Sequence, residues 1–220
     1  MRNRRSIDTI AILSAAAALV VMVLSSCEFA PRIDRRLHAE IGKALAKEAL
    51  SLLGAGGQIT VITRDTVTFR QPTLDILMKS FQREVRRAGR TIASTQLVQA
   101  DPLRPADVPA GDFFELIRRS APQHVIVSLF GPPLLTEEQR NKLGGVKPKI
   151  VAFCSGRLVE NIDLRQLFNI GLLHAAVVSR QASSITSAAS RNPPNAFDQL
   201  YQTIKAPDAS TSQASPGLAQ

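Results

Sequence analysis

The residues with chemical potential in this sequence gather in short polar stretches at or just after apolar runs. Arg64-Asp65-Thr66 follows QITVIT, and Ser128 lies near the end of HVIVSLF ahead of Gly131. Ser155-Gly156-Arg157 follows KIVAFC, and Ser179-Arg180 follows LHAAVV. Three guanidinium groups and several hydroxyls on one rim suit a carboxylate or phosphate, because arginine meets such groups in a bidentate fork and helix N-termini add neutral donors. The plainer reading of the same residues is that apolar runs give way to polar loops. Cys154 stands beside Arg157, and a neighbouring arginine can activate a thiol. Only Ser155 and Gly156 separate the two, too few for a loop to circle a phosphate. The spacing therefore favours a small buried hydrophobe. His124 and His174 have no carboxylate or cysteine at ligand or triad spacing and read as structural, so no metal site is expected. Asp65 and Asp101 could form an acid/base pair if the strand order brings their loops together. There is no Gly-x-Ser-x-Gly elbow, His-x-x-x-His pair or phosphate-binding Walker loop. No catalytic residues are expected.

Apolar runs alternate with amphipathic segments, and that alternation must position these residues. Strands are predicted at 58–63, 91–98, 124–130, 149–153 and 173–178. Helices are predicted at 72–89, at 113–120 after a possible cap at Asp112, from Thr136 to about Gly144, at 160–169 and at 195–204. Apolar strands each followed by a helix describe a parallel sheet covered on both faces. The fold class is therefore α/β: a three-layer, doubly wound, mainly parallel five-stranded sheet with the flavodoxin-like order 2-1-3-4-5. Ligands in such sheets bind outside the carboxyl ends of the strands, where the polar rim lies. A further amphipathic helix over 31–53 repeats Ile33, Leu37, Ile41, Leu45 and Leu52 at helical spacing and reads as a stalk or a docking helix. Gly54-Ala55-Gly56-Gly57 ends it. Because these glycines precede a strand rather than follow one, they are no dinucleotide fingerprint, and no cofactor is expected.

The chain has 220 residues, 45% hydrophobic and 20% charged, which suits one folded domain with attached segments. Two cysteines build no disulfide scaffold. With no tryptophan and one tyrosine, the stacking platforms of many nucleic-acid binders are missing, and no nucleic-acid partner is expected. The formal charge is +9, dispersed except for Arg83, Arg86, Arg87 and Arg90, which read as a solvated helix face. Arg2, Arg4 and Arg5 precede Ala11–Leu24, a run of 14 residues apolar but for Ser14, and Leu24-Ser25-Ser26-Cys27 follows. This segment resembles the lipobox of bacterial lipoproteins. The resemblance implies cleavage before Cys27, acyl chains on its sulfur, and a periplasm-facing place in the cell envelope. Glu28, not aspartate, implies the outer membrane if the cell has two. The alternative is an uncleaved single-pass inner-membrane anchor starting at Ile7. The expected organisation is a signal peptide (1–26), a lipid-anchored helical segment (27–57), an α/β domain (58–205) and a disordered tail (206–220).

The strand ITVITRDT, the helix TLDILMKSFQREVRRAG and the segment DFFELIRRSAPQHVIVSLFGPP resemble the opening of type I periplasmic binding proteins. The likeness covers about residues 58–180. It implies one lobe of a substrate-binding fold with the ligand at the strand ends. Members of that family close two lobes on the ligand, whereas this chain has length for one. The expectation is a non-catalytic, membrane-anchored module binding a protein partner in an envelope assembly. The alternative is a binder of a small anionic ligand, related to transporter substrate-binding proteins, through Arg64, Asp65, Thr66, Ser128, Ser155, Arg157, Ser179 and Arg180.

Overall fold

A computed structural model describes residues 33–65, 70–98, 108–156, 162–180 and 195–206. In chain order the elements are α1 (Arg35–Leu52), β1 (Ile59–Arg64), α2 (Pro72–Arg87), β2 (Ile92–Val98), α3 (Ala110–Arg119), β3 (Val125–Ser128), α4 (Glu137–Lys142), β4 (Lys149–Cys154), α5 (Leu164–Asn169), β5 (Ala175–Ser179), α6 (Ala196–Leu200) and β6 (Tyr201–Lys205). The strands form one sheet in the order β2-β1-β3-β4-β5-β6. The first five are parallel, and the expected order 2-1-3-4-5 holds.

Strand side chains point alternately to the two faces, and here both faces are apolar. Ile59, Val61, Val125, Val127, Val151, Ala175 and Val177 face one layer, where Ile41, Leu45, Ala49, Leu77, Phe81 and Val85 of α1 and α2 cover them. Ile62, Ile126, Ile150, Ala152, Cys154, Ala176 and Val178 face the other, against Phe113, Leu116 and Ile117 of α3 and Leu164 and Leu167 of α5. The short run VIVS of β3 is buried throughout, as a central strand with helices on both sides must be.

The helix expected at 31–53 docks on the sheet. Ile41, Leu45 and Ala49 are fully buried, and α1 belongs to the same compact unit as the strands. Gly42 lets it lie close to α2. A Cβ at this position would run into the Leu77 carbonyl oxygen and stand 3.0 Å from the Phe81 nitrogen. At the same crossing Ser80 Oγ donates to the Ala39 carbonyl at 2.8 Å.

Three local expectations are corrected. The helix predicted at 195–204 is only α6, and Tyr201–Lys205 forms an antiparallel edge strand pairing Ala175 with Lys205 through Ser179 with Tyr201. The cause is alternation. Tyr201 packs into the α1–α2 layer and Ile204 into the opposite one, which a strand permits. The N-cap of α3 is Pro109, with Asp112 inside the first turn, where a carboxylate still complements the helix dipole. His174 precedes β5 rather than lying within it. Thr136, expected to open α4, does so as a capping box with Gln139.

Candidate functional site

Strand order reverses between β1 and β3, so the helix after β1 and the loop after β3 leave the sheet in opposite directions and open a crevice at their carboxyl ends. A cavity of about 320 Å³ lies there. Arg64 at the end of β1, Leu129-Phe130-Gly131 after β3, and Phe153 and Ser155 at the end of β4 supply its floor and one wall. Gln71, Thr73, Leu74 and Leu77 line it from the N-terminal part of α2, with His38 from α1 and Tyr201 from β6. The parallel topology places the N-terminal ends of both helices at this mouth, where their dipoles favour an anion.

Arg64 is the charged group of the cavity floor. Its guanidinium carbon lies 4.7 Å from the Phe130 ring centroid, a cation–π arrangement. Its Nε is buried and has no hydrogen-bond partner among the described residues. A buried donor left unpaired costs about 1–3 kcal/mol, and more when charged. A ligand oxygen reaching it would remove that cost. Tyr201 stacks near Phe153 and Phe197, with centroids 5.8 and 6.1 Å away, and gives the cavity an aromatic side.

The other residues of the expected rim are dispersed. Ser155 lines the cavity with Arg64. Ser128 is fully buried beneath it, and its Oγ accepts the Phe130 N–H at 3.3 Å, which fixes the turn that presents the ring. The Asp65 N–H is bonded to the Val98 carbonyl at 3.0 Å, tying the end of β1 to β2. Ser179 Oγ accepts the Gly156 N–H at 3.1 Å, and Arg180 Nε donates to the Tyr201 carbonyl at 3.2 Å. Those two residues hold the β4 exit and the edge strand. Cys27, Thr66, Asp101 and Arg157 lie outside the described residues.

His38, Gln71, Thr73, Phe130, Phe153 and Tyr201 had not been singled out from the sequence. Phe130 had a readable signal in its place between an apolar strand and Gly131-Pro132-Pro133. His38 and Tyr201 had none, because each reaches the cavity by the docking of a distant element.

Cys154 is fully buried in the core layer under α5, and burial pushes its thiol up to about 12. A thiol in that state is a packing group, not a nucleophile. Burial, with lesser contributions from Lys149 and Lys147, pulls His174 down to about 4. Its Nδ1 accepts the Ile150 N–H at 3.2 Å, which requires the neutral ring and makes it a structural acceptor between β4 and β5.

No protein-family model matches the chain, and neither does any curated protein. Solved structures do. The chain is similar to a periplasmic ribose ABC transporter protein from Conexibacter woesei, at 14% identity over 64% of this chain and 45% of that one, with a TM-score of 0.43. It is also similar to the sugar-binding protein of a sugar ABC transporter from Bacillus halodurans, at 16% identity over 64% and 45% of the two chains, TM-score 0.42. A Mycobacterium smegmatis protein matches at 16% identity over 76% and 56%, TM-score 0.44. These matches are of low identity, two of them to transporter-associated sugar-binding or ribose proteins, and the chain spans roughly half the length of each. The likeness is one of fold.

Proposed function

We propose that this domain is a non-catalytic binding module that takes a small anionic ligand at the β1–β3 crevice. The observation that carries this reading is Arg64, whose Nε is buried at the floor of the cavity without a partner among the described residues. A carboxylate or phosphate group would pair with the guanidinium. The aromatic side formed by Phe153 and Tyr201 suits the apolar or ring portion of the same molecule, and Thr73 and Ser155 offer hydroxyls for its orientation. Binding is tested by a thermal-shift and calorimetry screen of small carboxylates, phosphates and their neutral analogues. The expected result is an anion-specific stabilisation lost in Arg64→Ala and partly kept in Arg64→Lys. A response that survives Arg64→Ala, or no response to any anion, overturns the reading.

The envelope setting belongs to the same proposal. The basic start, the apolar run Ala11–Leu24 and the Leu-Ser-Ser-Cys sequence ending at Cys27 support a lipid-anchored, periplasm-facing module that works with a protein partner. Native mass spectrometry of protein gently extracted from its own membranes tests this. The expected species carries the acyl mass on Cys27 and additional polypeptide, and a bare monomer without lipid counts against it.

A further inference from the structure

We propose that the outer face of α1 and α2 is a docking surface for an anionic lipid bilayer. Lys79, Arg83 and Arg86 recur at spacings of four and three residues, which places them along one stripe of α2, and Arg90 follows just past the helix end at Arg87. All four are exposed, as is Arg87 beside them. Of the five, Arg87 is paired, with Glu84 at 2.7 Å, and the other four have no carboxylate partner among the described residues. Lys47, on the solvent side of the adjoining α1, adds to the same field. The helices on the opposite side of the sheet differ in balance: α3, α4 and α5 carry five cations against four carboxylates, whereas α1 and α2 carry eight cations against four. Most of the helices' excess positive charge therefore belongs to one layer of the sandwich.

The occupant is chosen by charge and by reach. A surface of unpaired arginines and lysines without interleaved aromatic rings suits a plane of lipid phosphates better than a nucleic acid, whose bases need stacking partners. The apolar run Ala11–Leu24 ends ten residues before α1 begins at Arg35. Ten extended residues reach at most about 35 Å, and α2 is roughly 24 Å long. A bilayer that holds the chain at the end of that run is therefore within reach of the stripe. From a lipidated Cys27 the seven residues before Arg35 reach at most about 25 Å, still the length of α2, so either anchor allows the contact, and the inference rests on one of them being true. With the two helices flat on the membrane, the cavity at their N-terminal ends stays open sideways.

The test uses the full-length protein in nanodiscs of neutral phosphatidylcholine or of a mixture with about 30% phosphatidylglycerol. Brief lysine acetylation is read residue by residue by mass spectrometry. The expected result is an about fivefold fall at Lys47 and Lys79 in anionic discs only, reversed by about 0.5 M salt, with Lys142 unchanged. The triple variant Arg83→Glu, Arg86→Glu, Arg90→Glu is expected to remove the protection, and the corresponding glutamine variant to weaken it. Circular dichroism verifies the fold of both. Equal labelling in the two discs, protection in neutral discs as well, or a fall at every lysine overturns the proposal. So does protection by soluble polyphosphate but not by anionic discs, which would assign the face to acidic polymers. Protein absent from both kinds of disc would refute the membrane tether itself, a result separate from the behaviour of the stripe.

Discussion

Three residues have their roles decided by burial. Arg64 keeps a buried donor unpaired among the described residues, beside a ring, a costly arrangement that the proposed anion would relieve. His174 does the reverse. Its folded pKa of about 4 lies below the ordinary 6.5, so the unfolded chain binds the proton more tightly. The resulting stability is complete above about pH 6.5 and is lost as pH falls toward 4. The full shift would correspond to about 3 kcal/mol, reduced to about 1–2 kcal/mol by the ring's partial exposure to solvent. Denaturant melts at pH 7 and pH 4.5 are expected to differ by that amount, with most of the difference gone in His174→Gln. Cys154→Ala removes one sulfur from a closed core and is expected to cost about 1 kcal/mol while leaving anion binding intact. A loss of binding in this variant at unchanged stability would restore a functional thiol.

At the scale of elements, two contacts hold the termini of the domain against its sheet. α1 meets α2 across Gly42, where a methyl group would strike the Leu77 carbonyl. Gly42→Ala is expected to destabilise by about 1–3 kcal/mol, since the α1 backbone must move away to make room. An unchanged melting temperature would mean that the helices adjust freely. The second contact joins β6 to α1, with Lys205 Nζ 2.8 Å from Glu48 Oε2; the carboxylate side chain is 7% exposed and the lysine 58%. Lys205→Met strands a buried carboxylate, at an expected cost of about 1–2 kcal/mol, below that of a fully buried pair because water reaches the lysine. Glu48→Gln is expected to cost less, and a double-mutant cycle measures the difference. Loosening β6 also displaces Tyr201 from the cavity, so Lys205→Met is expected to weaken ligand binding as well as stability.

At the scale of the whole molecule, one sheet carries two layers of different character. The helices of the α3–α5 side are nearly balanced in charge, whereas those of the α1–α2 side carry an excess of cations. The candidate site lies at the end of the sandwich, between those faces. A ligand there would touch β1, the loop after β3, β4, α1, α2 and β6 together, so its binding is expected to raise the melting temperature of the domain as one cooperative unit. Two separated transitions in calorimetry would show that α1 or β6 melts independently.

The parallel core was legible in the sequence because its cause is local. Apolar β-branched runs such as QITVIT, HVIVSLF and KIVAF cannot leave either face in water, and a helix between successive strands forces them parallel. Arg64 and Ser155 were legible as strand-end residues for the same reason. The last strand was not. Residues 201–205 are too few to show a period, and their strand state comes from pairing with β5. Nor could the sequence say that Ser179 turns to the β4 exit and Arg180 to the edge strand, or that His38 and Tyr201 reach the cavity, since these outcomes depend on how remote elements dock. Local pattern thus determined the layers and the end of the sheet where polar groups collect. Tertiary packing alone decided which of those groups share a cavity, because side chains far apart in sequence meet only where the buried faces fit.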